Sequence, residues 1–158
     1  PDASGRREAR AESTYRSLVH EVQRAARLVD PRHADRALTV VVEAICQRIM
    51  PELARHFLSQ LPVALKERIT RLEGPIRAIG REEVERRIAF ELGTDPDTTD
   101  RVIEAVAEGL ATMVSEGQLE TVRNQLPADM RSLLRARGRE RMREERAEME
   151  RSVSWDWA

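Results

Sequence analysis

Apolar residues return along this chain at helical spacing, and the whole series comes round twice. Tyr15, Leu18, Val19, Val22 and Ala26 mark one face of a first helix, expected from about Ser13 to Leu28. A longer stripe follows, with Ala34, Leu38, Val41, Ile45 and Ile49. Downstream, Val84, Ile88 and Leu92 predict a helix from about Gly80 to a glycine stop at Gly93. Val102, Ile103, Val106, Leu110, Met113 and Val114 then repeat the longer stripe. Val40-Val41-Val42 has the β-branched chemistry of a strand. It lies inside a long run of helical period, so a buried central helix is expected there instead.

The punctuation between stripes has a mechanism. Asp30-Pro31 and Asp95-Pro96 each offer a carboxylate that can accept from an orphan helical N–H, followed by proline where its missing N–H costs nothing. A third helix is expected from Pro51 and, in the second series, after Ser115, which has capping-box spacing to Gln118. Pro62 and Pro127 mark a fourth start, and Gly74-Pro75 through Gly80 interrupts helical continuity. No hairpin signal is present. The expected fold is all-α, with about eight helices.

Aligning residues 30–69 on 95–134, an offset of 65, gives nine identities in forty without a gap. Composition alone would give about two or three in such a search. The identities are Asp30, Pro31, Asp35, Arg36, Val41, Glu43, Gln60, Leu61, Pro62 and their partners. The chain therefore reads as one helical unit written twice. A polar arm (1–12) precedes module one (13–72), a linker (73–80) and module two (81–136); a charged helix (137–151) and a tryptophan-containing tail (152–158) follow. Two homologous four-helix modules related by an approximate two-fold are expected.

This pattern resembles the bacterial domain-of-unknown-function family 2267, in which a tandem repeat carries a capped helix, an apolar helix and a Gln-Leu-Pro element. The similarity runs from about Tyr15 to Leu134, and Gln60-Leu61-Pro62 with Gln125-Leu126-Pro127 is its most specific part. Met50-Pro51 departs from the pattern, since many relatives would have a Ser or Gly cap there, and the tail lies outside it. The resemblance implies a compact helical bacterial protein and supplies no activity, cofactor or catalytic residue.

Charge changes the picture little at first. Lys+Arg 27 against Asp+Glu 28 leaves −1 over 158 residues, so no global field draws the protein to nucleic acid or an anionic membrane. No apolar run reaches the ~18 residues of a membrane helix, and the polar start argues against a signal peptide. A cytoplasmic protein is expected, without membrane insertion. One cysteine, Cys46, excludes an internal disulfide.

Candidate chemistry is sparse. His20, His33 and His56 share no metal-ligand spacing, and their aligned positions are Glu85, Thr98 and Thr121. Cys46 reads as a small buried hydrophobe. Glu82, Glu83 and Glu85, with Asp95, Asp97 and Asp100, fall at helix starts, where the macrodipole favours negative charge. No phosphate loop, dinucleotide fingerprint or nucleophile elbow occurs. Catalytic, cofactor-binding and metal-binding residues are therefore all expected to be none, and the protein is not expected to be an enzyme.

Two features remain. Lys66 is the only lysine, and eight arginines stand against five glutamates from Arg131 to Arg151. Pairs such as Arg141 with Glu144 and Arg146 with Glu150 suit a solvated helix. Both tryptophans lie in the last four residues, and Val153, Trp155 and Trp157 alternate with Ser154 and Asp156, giving an extended tail one apolar side. These three are the candidate partner-binding residues, either docking a protein partner or folding back onto the chain's own surface. The expectation is a non-enzymatic adaptor or scaffold with an unidentified protein partner. Alternatives are a regulatory nucleic-acid binder using the arginine-rich helix, and a ligand carrier or enzyme with a pocket between the modules. Nucleic acid is disfavoured by the interleaved acids, and oligomeric state is left open.

Overall fold

The computed structural model describes residues 3–134 and 148–151. Among these residues every regular element is helical. In chain order they are α1 (Ala3–Ala26), α2 (Pro31–Arg48), α3 (Pro51–Ser59), α4 (Val63–Lys66), α5 (Arg81–Leu92), α6 (Pro96–Met113) and α7 (Glu116–Gln125). A 3-10 helix, Ala128–Leu134, follows α7, and 148–151 is again helical.

The caps form as their chemistry dictates. Asp30 accepts from the Arg32 N–H at 2.9 Å, and Asp95 from the Thr98 N–H at 2.7 Å. Their carboxyls are held below the ordinary aspartate range, Asp30 chiefly by the Arg32 side chain and Asp95 by the Thr98 backbone N–H. Ser115 Oγ accepts from the Gln118 N–H at 3.3 Å. Pro31, Pro51 and Pro96 take the first helical turn, and Gly93 ends α5 with φ 66°, a left-handed cap that glycine adopts at no steric cost. The Val40-Val41-Val42 run lies within α2.

Two expectations need correction. The helix expected from Ser13 begins at Ala3, so the stretch taken as a polar arm (1–12) is helical from its third residue. The described side chains of its start, Ala3, Arg6, Ala9 and Arg10 among them, are exposed, and an apolar stripe marks only a buried face. The element after Pro127 is a 3-10 helix, not an α-helix, and its counterpart α4 is a single turn.

The core lies between the halves. Buried side chains from both form one continuous cluster, in which α1 packs on α6 and α2 on α5, while α2 also meets α6 and α3 touches α7. Leu18, Leu38, Val41 and Ile45 are fully buried from the first half, Val106 and Leu110 from the second. Gly109 lets α1 approach α6: a Cβ there would meet Leu18 Cδ1 at 2.8 Å and Val22 Cγ2 at 3.3 Å. The segment joining the halves is pinned to the end of α2, where the Ile76 N–H donates to Gln47 O at 2.7 Å and Ile79 is buried.

The two Gln-Leu-Pro elements each reach across to the other half, at opposite ends of the α3–α7 pair. Gln60 Oε1 accepts from the Ser115 N–H at 2.9 Å, at the start of α7. Gln125 Oε1 accepts from the Met50 N–H at 3.0 Å, at the start of α3. Each glutamine at the end of one short helix thus satisfies an orphan donor at the start of the other. No described helix is long and apolar enough to cross a membrane.

Candidate docking groove between α2 and α5

On α5, Val84 and Ile88 point into the core and are fully buried. Phe90 comes two residues after Ile88, about 200° further round the helix at 100° per residue, and so emerges on the outer face. Its exposure is 86%, whereas the chain's other phenylalanine, Phe57, is at 0%. Opposite, α2 presents Arg36, Thr39, Val40 and Glu43, a stripe at i, i+3, i+4 and i+7. These residues and Arg86, Arg87, Phe90 and Glu91 of α5 wall a cavity of about 490 Å³.

The walls are tied together by charge. Arg36 Nη1 donates to Glu91 Oε2 at 3.2 Å across the groove. Glu83 receives Arg86 Nη2 at 2.6 Å and Arg87 Nε at 3.0 Å. Those bonds, Arg86 first and Arg87 second, hold its carboxyl below the ordinary glutamate range. Arg87 Nη1 also donates to Gln47 Oε1 at 2.9 Å, joining α5 to α2, and Gln47 Nε2 donates to Glu43 Oε1 at 3.4 Å. What is offered to solvent is an aromatic ring, a half-buried valine and guanidinium faces. That chemistry suits recognition of flat apolar groups, through ring–ring and cation–π contacts.

Other polar groups serve the scaffold. The Tyr15 hydroxyl donates to Asp35, which also pairs with Arg68; Arg68 Nη1 donates to the Tyr15 hydroxyl at 3.3 Å, and Arg68 Cζ sits 5.5 Å from the ring centroid. Burial and then the bond to Asp35 raise the Tyr15 hydroxyl above its ordinary range. This cluster clamps α1 to α2 and to the segment after α4. Cys46 is buried in α2, where desolvation and then Glu43 push its thiol up to about 12, leaving it protonated and unreactive at neutral pH. A second concavity, about 690 Å³ and lined by His20, Glu21, Arg24 and Arg27 among others, runs along α1 and the residues just after it.

His20, His33 and His56 are exposed on α1, α2 and α3 respectively and are not brought together. Among the described residues, no three His, Cys, Asp or Glu side chains are grouped to hold a metal. Glu82, Glu83 and Asp97 do occupy the first turns of α5 and α6. Val153, Trp155 and Trp157 lie outside the described residues, as does the charged stretch 137–151 except at 148–151. Phe90 was not among the expected site residues. The signal that finds it is an aromatic off the Val84–Ile88–Leu92 stripe of an otherwise charged helix.

A family model described as "Uncharacterized conserved protein (DUF2267)" matches residues 15–133. The chain belongs to this family. No curated protein matches the chain. The DUF2267 match takes in every residue of the groove, Arg36 through Glu91, and ends one residue short of Leu134. All of the arginine-rich stretch after Arg131, and both tryptophans, therefore lie beyond the part of the chain that defines DUF2267 membership.

Proposed function

We propose that the protein is a non-enzymatic bacterial adaptor or scaffold that works through protein–protein contacts in a reducing cytoplasm. The exposed ring of Phe90 beside the α2–α5 groove carries this reading. A large aromatic held in water on a rigid helix is costly unless a partner covers it, and aromatic and arginine side chains are what interface hot spots are built from. Val153, Trp155 and Trp157 supply a second contact, on a charged spacer. The single thiol, Cys46, buried and unpaired, suits the cytoplasmic setting.

The body of this adaptor is read as two homologous four-helix modules about an approximate two-fold axis. The reciprocal bonds of Gln60 to Ser115 and Gln125 to Met50 support it, since each pair maps onto the other at the offset of 65. So does the crossing of α1 on α6 and α2 on α5. A carrier of small molecules would need to bury about 70–90% of its ligand. Phe90, at 86% exposure, sits too far out in the solvent to close over one, which favours a macromolecular contact.

The test places a photo-crosslinking residue at position 87 or 91, flanking Phe90, in the native cell. The adaptor reading expects one recurrent protein adduct, reduced by Phe90→Ser. Equal adducts from all versions, or none, would remove it.

A further inference from the structure

We infer that the α2–α5 groove is the seat of this chain's own C-terminal segment, Val153-Ser154-Trp155-Asp156-Trp157. The aromatic inventory points there first. The chain has five aromatic side chains. Tyr15 and Phe57 are buried in the core, so Phe90 is the only unburied ring among the described residues. The other two rings are Trp155 and Trp157. Rings seek rings and guanidinium faces, and the groove offers Phe90 between Arg86 and Arg87 on one wall, with Arg36 and Val40 on the other.

Dimensions agree. Alternate residues of an extended segment project on one side about 7 Å apart, so two indoles can lie on either side of the Phe90 ring. A cavity of about 490 Å³ is within the range that receives a compact apolar group. The tether also reaches. Arg81 Nη1 donates to Ser132 Oγ at 2.8 Å, which fixes the 3-10 helix at the start of α5. Phe90 is about 14 Å along that helix at 1.5 Å per residue, on its far side. The roughly nineteen residues from Leu134 to Val153 span about 28 Å even when wound entirely as α-helix. Tethering makes the contact intramolecular, with an effective concentration on the order of millimolar, so a weak intrinsic affinity suffices to fill the seat.

The inference is independent of the adaptor reading: the segment occupies the groove whether or not a second protein exists, and any partner using either surface must displace it. The experiment is tryptophan fluorescence of the full chain. Both tryptophans lie in the segment and none in the body, so emission reports the segment alone. Expected are blue-shifted emission and weak acrylamide quenching in the intact protein, independent of protein concentration. Phe90→Ser and Val40→Glu should each shift the emission to that of the free pentapeptide. Val29→Ser, at a residue 97% exposed elsewhere, should not. Phe90 is on the surface, so its variant keeps the fold, checked by circular dichroism. Emission of the intact chain equal to that of the free peptide would overturn the inference. So would a blue shift that both groove variants leave intact. A blue shift appearing only at high concentration would give the groove to a second copy of the chain, and overturns it equally.

Discussion

Asp35 and Asp100 occupy the same step of α2 and α6, yet the cations that meet them come from different places. Asp35 is met by Arg68, from beyond α4, together with the Tyr15 hydroxyl. At the aligned positions the second half has Leu133 and Gly80. Asp100 is met by Arg81, the first residue of α5, at 3.6 Å. Gly80, standing where Tyr15 stands, leaves room for Asp129: a Cβ there would sit 2.9 Å from its Oδ2, and that carboxylate accepts from the Arg81 N–H at 3.2 Å. The start of α5 thus borrows a cap from the 3-10 helix. Arg36 and Arg101 behave alike, each reaching the last turn of the other half's first helix, at Glu91 and at Ala26 O. Contacts that join the halves recur at aligned positions, while those that close each half by itself differ.

The largest effect should come from breaking what is common. Ile45 and Leu110 are aligned, fully buried, and belong to one cluster. Ile45→Ala and Leu110→Ala should each cost about 2–5 kcal/mol. Denaturant unfolding of either should remain a single transition, coincident by circular dichroism and by tyrosine fluorescence. Two separable transitions, one per variant, would mean that the halves fold as independent units.

Next comes the place where the halves differ at a packed contact. Ala44 and Gly109 are aligned, and only Gly109 lies against Leu18 and Val22 with no space for a Cβ. Gly109→Val should cost about 1–3 kcal/mol by driving α1 off α6. Gly109→Ala sets a gain of about 1 kcal/mol in helix propensity against the shift of one Leu18 methyl. A thermal melt in which Gly109→Val matches the parent would show that α1 and α6 do not depend on close approach.

These contacts explain which features could be read along the chain. Asp30, Asp95, Pro51 and Ser115 act within a turn or so of themselves, so their roles follow from spacing alone. Stripes such as Leu38–Val41–Ile45 announce a buried face, but not which helix covers it. That α2 is covered by α5 of the other half rests on packing between residues about 50 apart, which no local pattern carries. The groove at Phe90 was hidden for the same reason. The place of Phe90 off the Val84–Ile88–Leu92 stripe marks an outward ring, but only the packing of α5 on α2 sets that ring next to Val40. The long start of α1 was not legible because its described side chains are exposed, and an exposed stretch of helix carries no apolar stripe.

The glutamine pair sharpens the comparison at a smaller scale. Gln60→Ala and Gln125→Ala each remove one acceptor from a helix-starting N–H and should each cost about 0.5–1.5 kcal/mol. If the halves are equivalent at this contact, the two costs agree within error and the double variant shows their sum. The neighbouring caps should diverge. Ser115→Ala should lose about 1 kcal/mol, whereas Met50→Ser should stabilise, because Met50 starts α3 with no side-chain cap bond. A neutral Met50→Ser would mean that Gln125 already meets the need of that terminus.

The gentlest distinction is one of pH, absent at neutrality and visible only at the extremes. Asp30 and Asp95 both have carboxyls lowered below the usual 3.8. Their contribution is complete above about pH 4 and is lost as pH falls through the depressed values, with the same sign in both halves. The alkaline side is different, because only the first half has a tyrosine in its clamp. Tyr15 is raised above the ordinary 10.0, by burial first and the Asp35 bond second, so the folded state prefers the protonated hydroxyl. Its contribution is complete below pH 10 and is lost as pH rises beyond it, when the unfolded chain can release a proton that the folded one retains. Tyr15 is the only tyrosine, so phenolate absorbance follows it directly. The absorbance midpoint should lie above 10 in the folded protein and fall back to it in denaturant. Tyr15→Phe should lessen the alkaline fall in stability, leaving the part that the raised Cys46 thiol contributes above about pH 9, and should leave the acid fall untouched. If the parent and Tyr15→Phe lose stability in parallel above pH 10, the clamp is not what sets the first half apart from the second.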